Sequence, residues 1–141
     1  MLPISIPAVL TAGVVMFVIG FLFHGPICGK LWMKLANIKS TGKEKLSDMT
    51  AQMVLNLLAD FIMSFVVAMV YAFASTSTLP GVEKVGVACG MAIAFWLWLG
   101  FVVTGSAMDV IWMGKSRKLW LYECACSLVS LLAVGTIIGA W

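Results

Sequence analysis

One carboxylate stands in the middle of a long apolar stretch. Asp60 lies 12 positions after Asp48, inside the run from Met49 to Phe73. At about 1.5 Å of rise per residue, a helix over that run carries it close to the centre of a bilayer. Gln52, Asn56, Asp60 and Ser64 recur at every fourth position and form one polar stripe, with Tyr71 near its extension. An aspartate at the middle of a spanning helix costs roughly 2.5–3.5 kcal/mol to insert. Lipid offers the stripe no hydrogen bonds, so it must face a bundle interior, another protomer or a water-filled cavity. Two readings stay open. In one, Asp60 binds a proton, a cation or a small solute with help from Asn56, Ser64 and Gln52. In the other it is a hydrogen-bonded group that fixes helix packing.

Three more titratable side chains fall at the ends of apolar stretches. His24 precedes Gly25-Pro26, and Asp109 and Glu123 flank the basic run Lys115, Arg117 and Lys118. They are candidates for the cytoplasmic mouth of a cavity. The plainer alternative is interfacial pairing with those bases for the two acids and a capping role for His24. Cys28, Cys89, Cys124 and Cys126 contain no C-x-x-C pair and match no metal-ligand spacing, so neither a metal nor another cofactor is expected. No phosphate-binding glycine loop, Ser-His-Asp set or metalloprotease motif is present, and the expectation is that the protein is not an enzyme.

The elements that must position these residues follow from composition. Hydrophobic residues make up 62% of the 141 and charged residues 11%, against about 45–50% and 25% in soluble domains. Six acids and nine bases cannot coat the outer faces of a soluble bundle of this length. The surrounding solvent must be lipid. A spanning helix needs about 20 mainly apolar residues, and four stretches qualify, over about residues 4–23, 49–73, 85–108 and 119–140. The fold class expected is therefore all-α, a single-domain integral membrane four-helix bundle.

Charge sets the orientation. Lys30, Lys34, Lys39, Lys43 and Lys45 lie in the first loop, about 24–48, and Lys115, Arg117 and Lys118 in the third, about 109–118; the middle loop has Lys84 alone. The positive-inside rule then places both basic loops in the cytoplasm and both termini outside, in what reads as a bacterial inner membrane. Net charge of +3 is explained by this clustering, and nucleic acid is not an expected partner. Anionic lipid headgroups are. Within the first loop Ile27, Leu31, Leu35 and Ile38 share a helical face, which suits a short basic interfacial helix or a snorkelling extension of the first span. Ser47-Asp48 supplies a cap and an acid for the start of the second span.

Small residues mark packing faces: Gly86, Gly90 and Ala94 on the third span, and Ser127, Ser130, Gly135 and Gly139 on the fourth. Gly20-Phe21, Gly25 and Trp32-Met33 recur as Gly100-Phe101, Gly105 and Trp112-Met113, all displaced by 80 positions. This register suggests a duplicated helical hairpin whose halves are related by an axis along the membrane normal.

The run Gly20-Phe-Leu-Phe-His-Gly-Pro-Ile-Cys-Gly-Lys-Leu-Trp-Met-Lys34, with Leu99-Gly-Phe101, Gly114-Lys-Ser-Arg-Lys-Leu119 and Gly139-Ala-Trp141, resembles the membrane proteins grouped as domain of unknown function 1761. The resemblance extends over nearly the whole chain. It departs from the family pattern at His24, where an aromatic is more usual, and at Glu123-Cys-Ala-Cys126. It implies four spanning helices and brings no activity with it. The functional expectation rests on the residues alone: an oligomeric ion- or small-solute-handling protein built on the Asp60 stripe, or an accessory or scaffolding subunit of a larger membrane complex. Four short helices enclose little volume, so a homo-oligomer or a membrane-complex partner is expected.

Overall fold

The computed structural model describes residues 4–38, 49–76 and 85–141, and these are helical throughout apart from short turns. The expectation of an all-helical chain with four membrane-length apolar helices holds: the spans are Ile6–His24, Thr50–Thr76, Val87–Trp112 and Arg117–Ala140. Helix α1 (Ile6–His24) begins at Ser5, whose side-chain oxygen accepts from the Ala8 N–H at 3.4 Å. Pro7 sits in the first turn, where its missing N–H would have had no partner. The cap expected at Ser47-Asp48, together with Lys39, Lys43, Lys45 and Lys84, lies outside the described residues.

The chain breaks at Gly25-Pro26. Pro26 has no N–H to give the Leu22 carbonyl, and Ile27 N–H takes that acceptor instead at 3.0 Å. A separate short helix, α2 (Gly29–Leu35), follows. The basic segment is thus an independent helix rather than an extension of the first span. Helix α3 (Thr50–Thr76) is the longest. The third span is composite: α4 (Val87–Leu97), a π-helical segment over Trp98–Val103, and α5 (Thr104–Trp112). It runs four residues beyond the end expected at 108, and the fourth span, α6 (Arg117–Ala140), starts two residues earlier than expected.

Helix α6 is the hub, packed against α4 and α1, while α1 also packs against α3. The core is made of small and branched side chains: Ala8, Val9, Ala12 and Met16 from α1, Val67 and Ala68 from α3, Ala94 from α4, and Leu131, Val134 and Ile138 from α6. Lipid tails are as apolar as these side chains, so burial gives little drive toward helix association and close van der Waals contact must supply it. Glycine makes that contact possible. A Cβ placed on Gly90 would strike the Gly135 carbonyl oxygen, one on Gly135 would strike the Gly90 carbonyl, and one on Gly139 would come within 2.5 Å of the Gly86 oxygen. The packing face expected from Gly86, Gly90 and Ala94 is therefore turned inward onto α6.

The core occupies the half of the bundle near the chain termini. Toward the basic end α3 draws away from the third span. The first ten residues of α3 contain no buried side chain, and neither do the π segment and α5. The backbones of α3 and α5 do not come within 8 Å of one another. The composite third span is held to α6 by two indoles instead. Trp98 Nε1 donates to the Cys124 carbonyl at 3.0 Å and to Ser127 Oγ at 3.1 Å. Trp120 Nε1 donates to Ser106 Oγ at 2.9 Å. The positions matched by the 80-residue repeat differ locally, for Gly25 ends α1 whereas Gly105 lies inside α5. The position 80 residues after Pro26 is Ser106, and there the helix runs on without a break.

Candidate functional site

Asp60 sits where α3 enters the packed half of the bundle. It is ten residues from the start of that helix, or about 15 Å along its axis. The residue is 8% exposed although those before it stand clear of the core. The Asn56 amide, one turn earlier, donates from Nδ2 to Asp60 Oδ2 at 3.0 Å. One turn later Ser64 is fully buried, and its Oγ has no hydrogen-bond partner among the described residues. Serine inside a helix commonly donates back to a carbonyl one turn earlier, as Ser106 and Thr136 do here. Ser64 does not, so this hydroxyl keeps both its donor and its acceptor capacity. The stripe thus runs from surface to interior. Gln52 and Asn56 lie on the exposed face of the single chain, and Asp60 and Ser64 lie inside.

Tyr71, near the extension of the stripe, has a structural duty. Its hydroxyl accepts the Gly86 N–H at 2.7 Å, which fixes the start of α4. Gly86 has φ of +100°, a left-handed conformation that favours glycine. This residue therefore serves the turn as well as the packing face.

The three candidates for the cytoplasmic mouth divide into two groups at the basic end. Asp109 and Glu123 converge on Lys115, whose Nζ lies 3.7 Å from Asp109 Oδ2 and 2.5 Å from Glu123 Oε2. Hydrogen bonding to Glu123 raises Lys115 above the ordinary lysine value in spite of the burial that opposes it. The mutual pairing accounts for both acids without a cavity. His24 stands with the aromatics: its Nδ1 donates to the Gly20 carbonyl at 2.9 Å, and its ring meets Trp32 and Tyr122 edge-on at 5.4 and 6.2 Å. Among the described residues no three His, Cys, Asp or Glu side chains are grouped so as to hold a metal ion.

Sequence reasoning missed Tyr122, Trp98 and Trp120 as organisers. Their partners lie 14 to 99 positions away, and which face of α6 meets the third span depends on the turn that the π segment introduces. The only available signal was the presence of an indole or phenol, groups that seek a polar partner when they are partly buried.

No curated protein and no solved structure matches the chain. Residues 7–139, nearly its whole length, match the family described as "Protein of unknown function (DUF1761)", and this multi-pass membrane protein belongs to that family.

Proposed function

We propose that the protein handles a proton, a cation or a small polar solute within the membrane, acting as a homo-oligomer. The observation that carries this reading is the Asn56–Asp60 pair: a carboxyl almost removed from solvent, bonded at one oxygen, one turn from a buried serine hydroxyl without a partner among the described residues. Polar groups at this depth are expensive and are usually retained for function. The exposed flank of the stripe, Gln52 and Asn56, faces outward from the single chain. In an oligomer a second copy would cover it. The basic segments about α2 and at the start of α6 face the cytoplasm in this reading, and the chain has no enzymatic role.

The test is reconstitution. Purified protein in sealed vesicles, with a pH-sensitive dye inside, is challenged with proton, sodium or potassium gradients. Wild-type protein carries flux for at least one of these ions, while Asp60→Asn abolishes it and leaves the oligomer seen by crosslinking intact. Loss of the oligomer in Asp60→Asn would assign the residue to packing.

A second reading draws on a different observation. The first ten residues of α3 and the whole of α5 have no fully buried side chain, a surface suited to an accessory subunit of a larger membrane complex. The glycines of α4 and α6 face each other, whereas Gly20, Gly100 and Gly105 have open space beside them. Purification from native membranes separates the two: a stoichiometric second protein supports the subunit, and a self-contained oligomer supports the transporter.

A further inference from the structure

The basic end carries a feature unrelated to Asp60. A groove of about 320 Å³ runs between α5 and α6, walled by Ala107, Val110 and Ile111 on one side and Trp120 and Leu121 on the other. Arg117 is the one charged side chain among its described lining residues, and it faces the groove with its carbon stem rather than its guanidinium. Ile111 and Leu121 are 66% and 59% exposed, so the groove opens outward to the lipid rather than inward to the bundle. Along α5 it extends from Ala107 to Ile111, about 6 Å, within the last turns of that helix. The Trp120 wall is fixed, because its indole is bonded to Ser106 Oγ, which itself donates to the Val102 carbonyl at 2.6 Å.

Charge on this end is unevenly satisfied. Lys115 takes both nearby acids, Asp109 and Glu123. Arg117 and Lys118 have no acidic partner among the described residues. Both stand in the first turn of α6, where Ser116 makes no side-chain cap and the helix N–H groups remain available to an anion. A free guanidinium at the membrane surface, above an apolar slot open to the acyl chains, is complementary to a phosphate diester with a hydrocarbon tail.

We propose that this groove holds one anionic phospholipid, with its phosphate on Arg117 and the upper part of one acyl chain against Ala107, Ile111 and Leu121. Arg117 suits the phosphate because its planar fork binds two oxygens together. The site would pin α5 to α6 at the end of the bundle where protein packing is thinnest.

Native mass spectrometry of the delipidated protein in detergent tests this, using dioleoyl phosphatidylglycerol and dioleoyl phosphatidylcholine as probes. Wild-type protein retains one phosphatidylglycerol at least about tenfold more tightly than phosphatidylcholine. Arg117→Gln removes the headgroup contact and Ala107→Trp fills the slot, and each weakens phosphatidylglycerol binding about tenfold. Lys34→Gln, a charge change in α2 away from the groove, leaves it unaltered. Circular dichroism confirms that the variants are helical, and Ile111→Trp, at an exposed position, substitutes if Ala107→Trp does not fold. Equal retention of the two lipids, an Ala107→Trp or Ile111→Trp protein that binds like wild type, a Lys34→Gln loss as large as that of Arg117→Gln, or displacement by free glycerol phosphate would each overturn the proposal.

Discussion

The Tyr122 hydroxyl donates to the carbonyl oxygen of Phe23 across 2.7 Å, joining two positions 99 residues apart. The bond has a local cause. With Pro26 in the chain, Ile27 N–H turns to Leu22, and the Phe23 carbonyl loses the partner a continuing helix would have given it. Tyr122 supplies the missing donor from the first turns of α6. The end of α1 and the start of α6 are thereby held side by side, which brings the two basic segments to one end of the bundle.

Replacing Tyr122 by Phe keeps the ring and removes only this bond. We expect a loss of about 1 kcal/mol, read as a lower melting temperature in detergent. Hydrogen exchange should accelerate at the Ile27 and Gly29 amides, which hold the turn after α1. Exchange unchanged at those amides would show that the turn stands without Tyr122.

Glycine substitutions should separate by position. Gly90→Ala or Gly135→Ala drives a methyl into a backbone carbonyl that cannot rotate away, and a cost of about 1–3 kcal/mol or more is expected. Gly20→Ala, with nothing within 4 Å of the new methyl, should leave stability unchanged or add up to about 1 kcal/mol. Thermal unfolding of the three variants side by side is the measurement. Equal effects would mean that the α4–α6 approach is looser than described.

Ser64→Ala removes a fully buried hydroxyl that no group in the described chain satisfies. Stability should hold or rise by about 1 kcal/mol, because an unpaired buried polar group is a cost. Ion flux in vesicles should fall if the hydroxyl serves the Asp60 site. A stability loss near that of a broken hydrogen bond would reveal a partner within the bundle.

Lys115 gives a pH signature. Its value in the folded protein lies above the ordinary one, chiefly through Glu123. Its stabilising contribution is therefore complete below the ordinary lysine value of about 10.4 and fades as pH rises through the higher folded value. The difference in melting free energy between wild type and Lys115→Gln should be about 0.5–1 kcal/mol. It should stay level from neutral pH to pH 9 and shrink only above about pH 10.4. A gap that closes at lower pH would remove the pairing as its source.

Much of this architecture was legible in residue types and spacing. Four apolar runs of spanning length, the small-residue face of Gly86, Gly90 and Ala94, and the polar periodicity of Gln52 to Ser64 are local patterns, and a helix turns each into a face without help from the rest of the chain. The direction each face points was not legible. Asn56 and Asp60 share one stripe, yet one is exposed and the other buried, because α3 leaves the bundle between them. The pairing of Asp109 and Glu123 through Lys115 was anticipated only as one alternative, since it depends on how α5 turns into α6.

By itself the sequence determined that this chain is a set of four helices long and apolar enough to cross a membrane, with a carboxyl within the second. The reason is that bilayer insertion responds to the composition of each segment alone. Tertiary structure decided the rest: that the glycines meet one another across α4 and α6, that packing is tight at one end and open at the other, and that Tyr122, Trp98 and Trp120 close the gaps. Those outcomes depend on helix rotation and tilt, which are set by a proline break and a π-helical turn acting on contacts far apart in the chain.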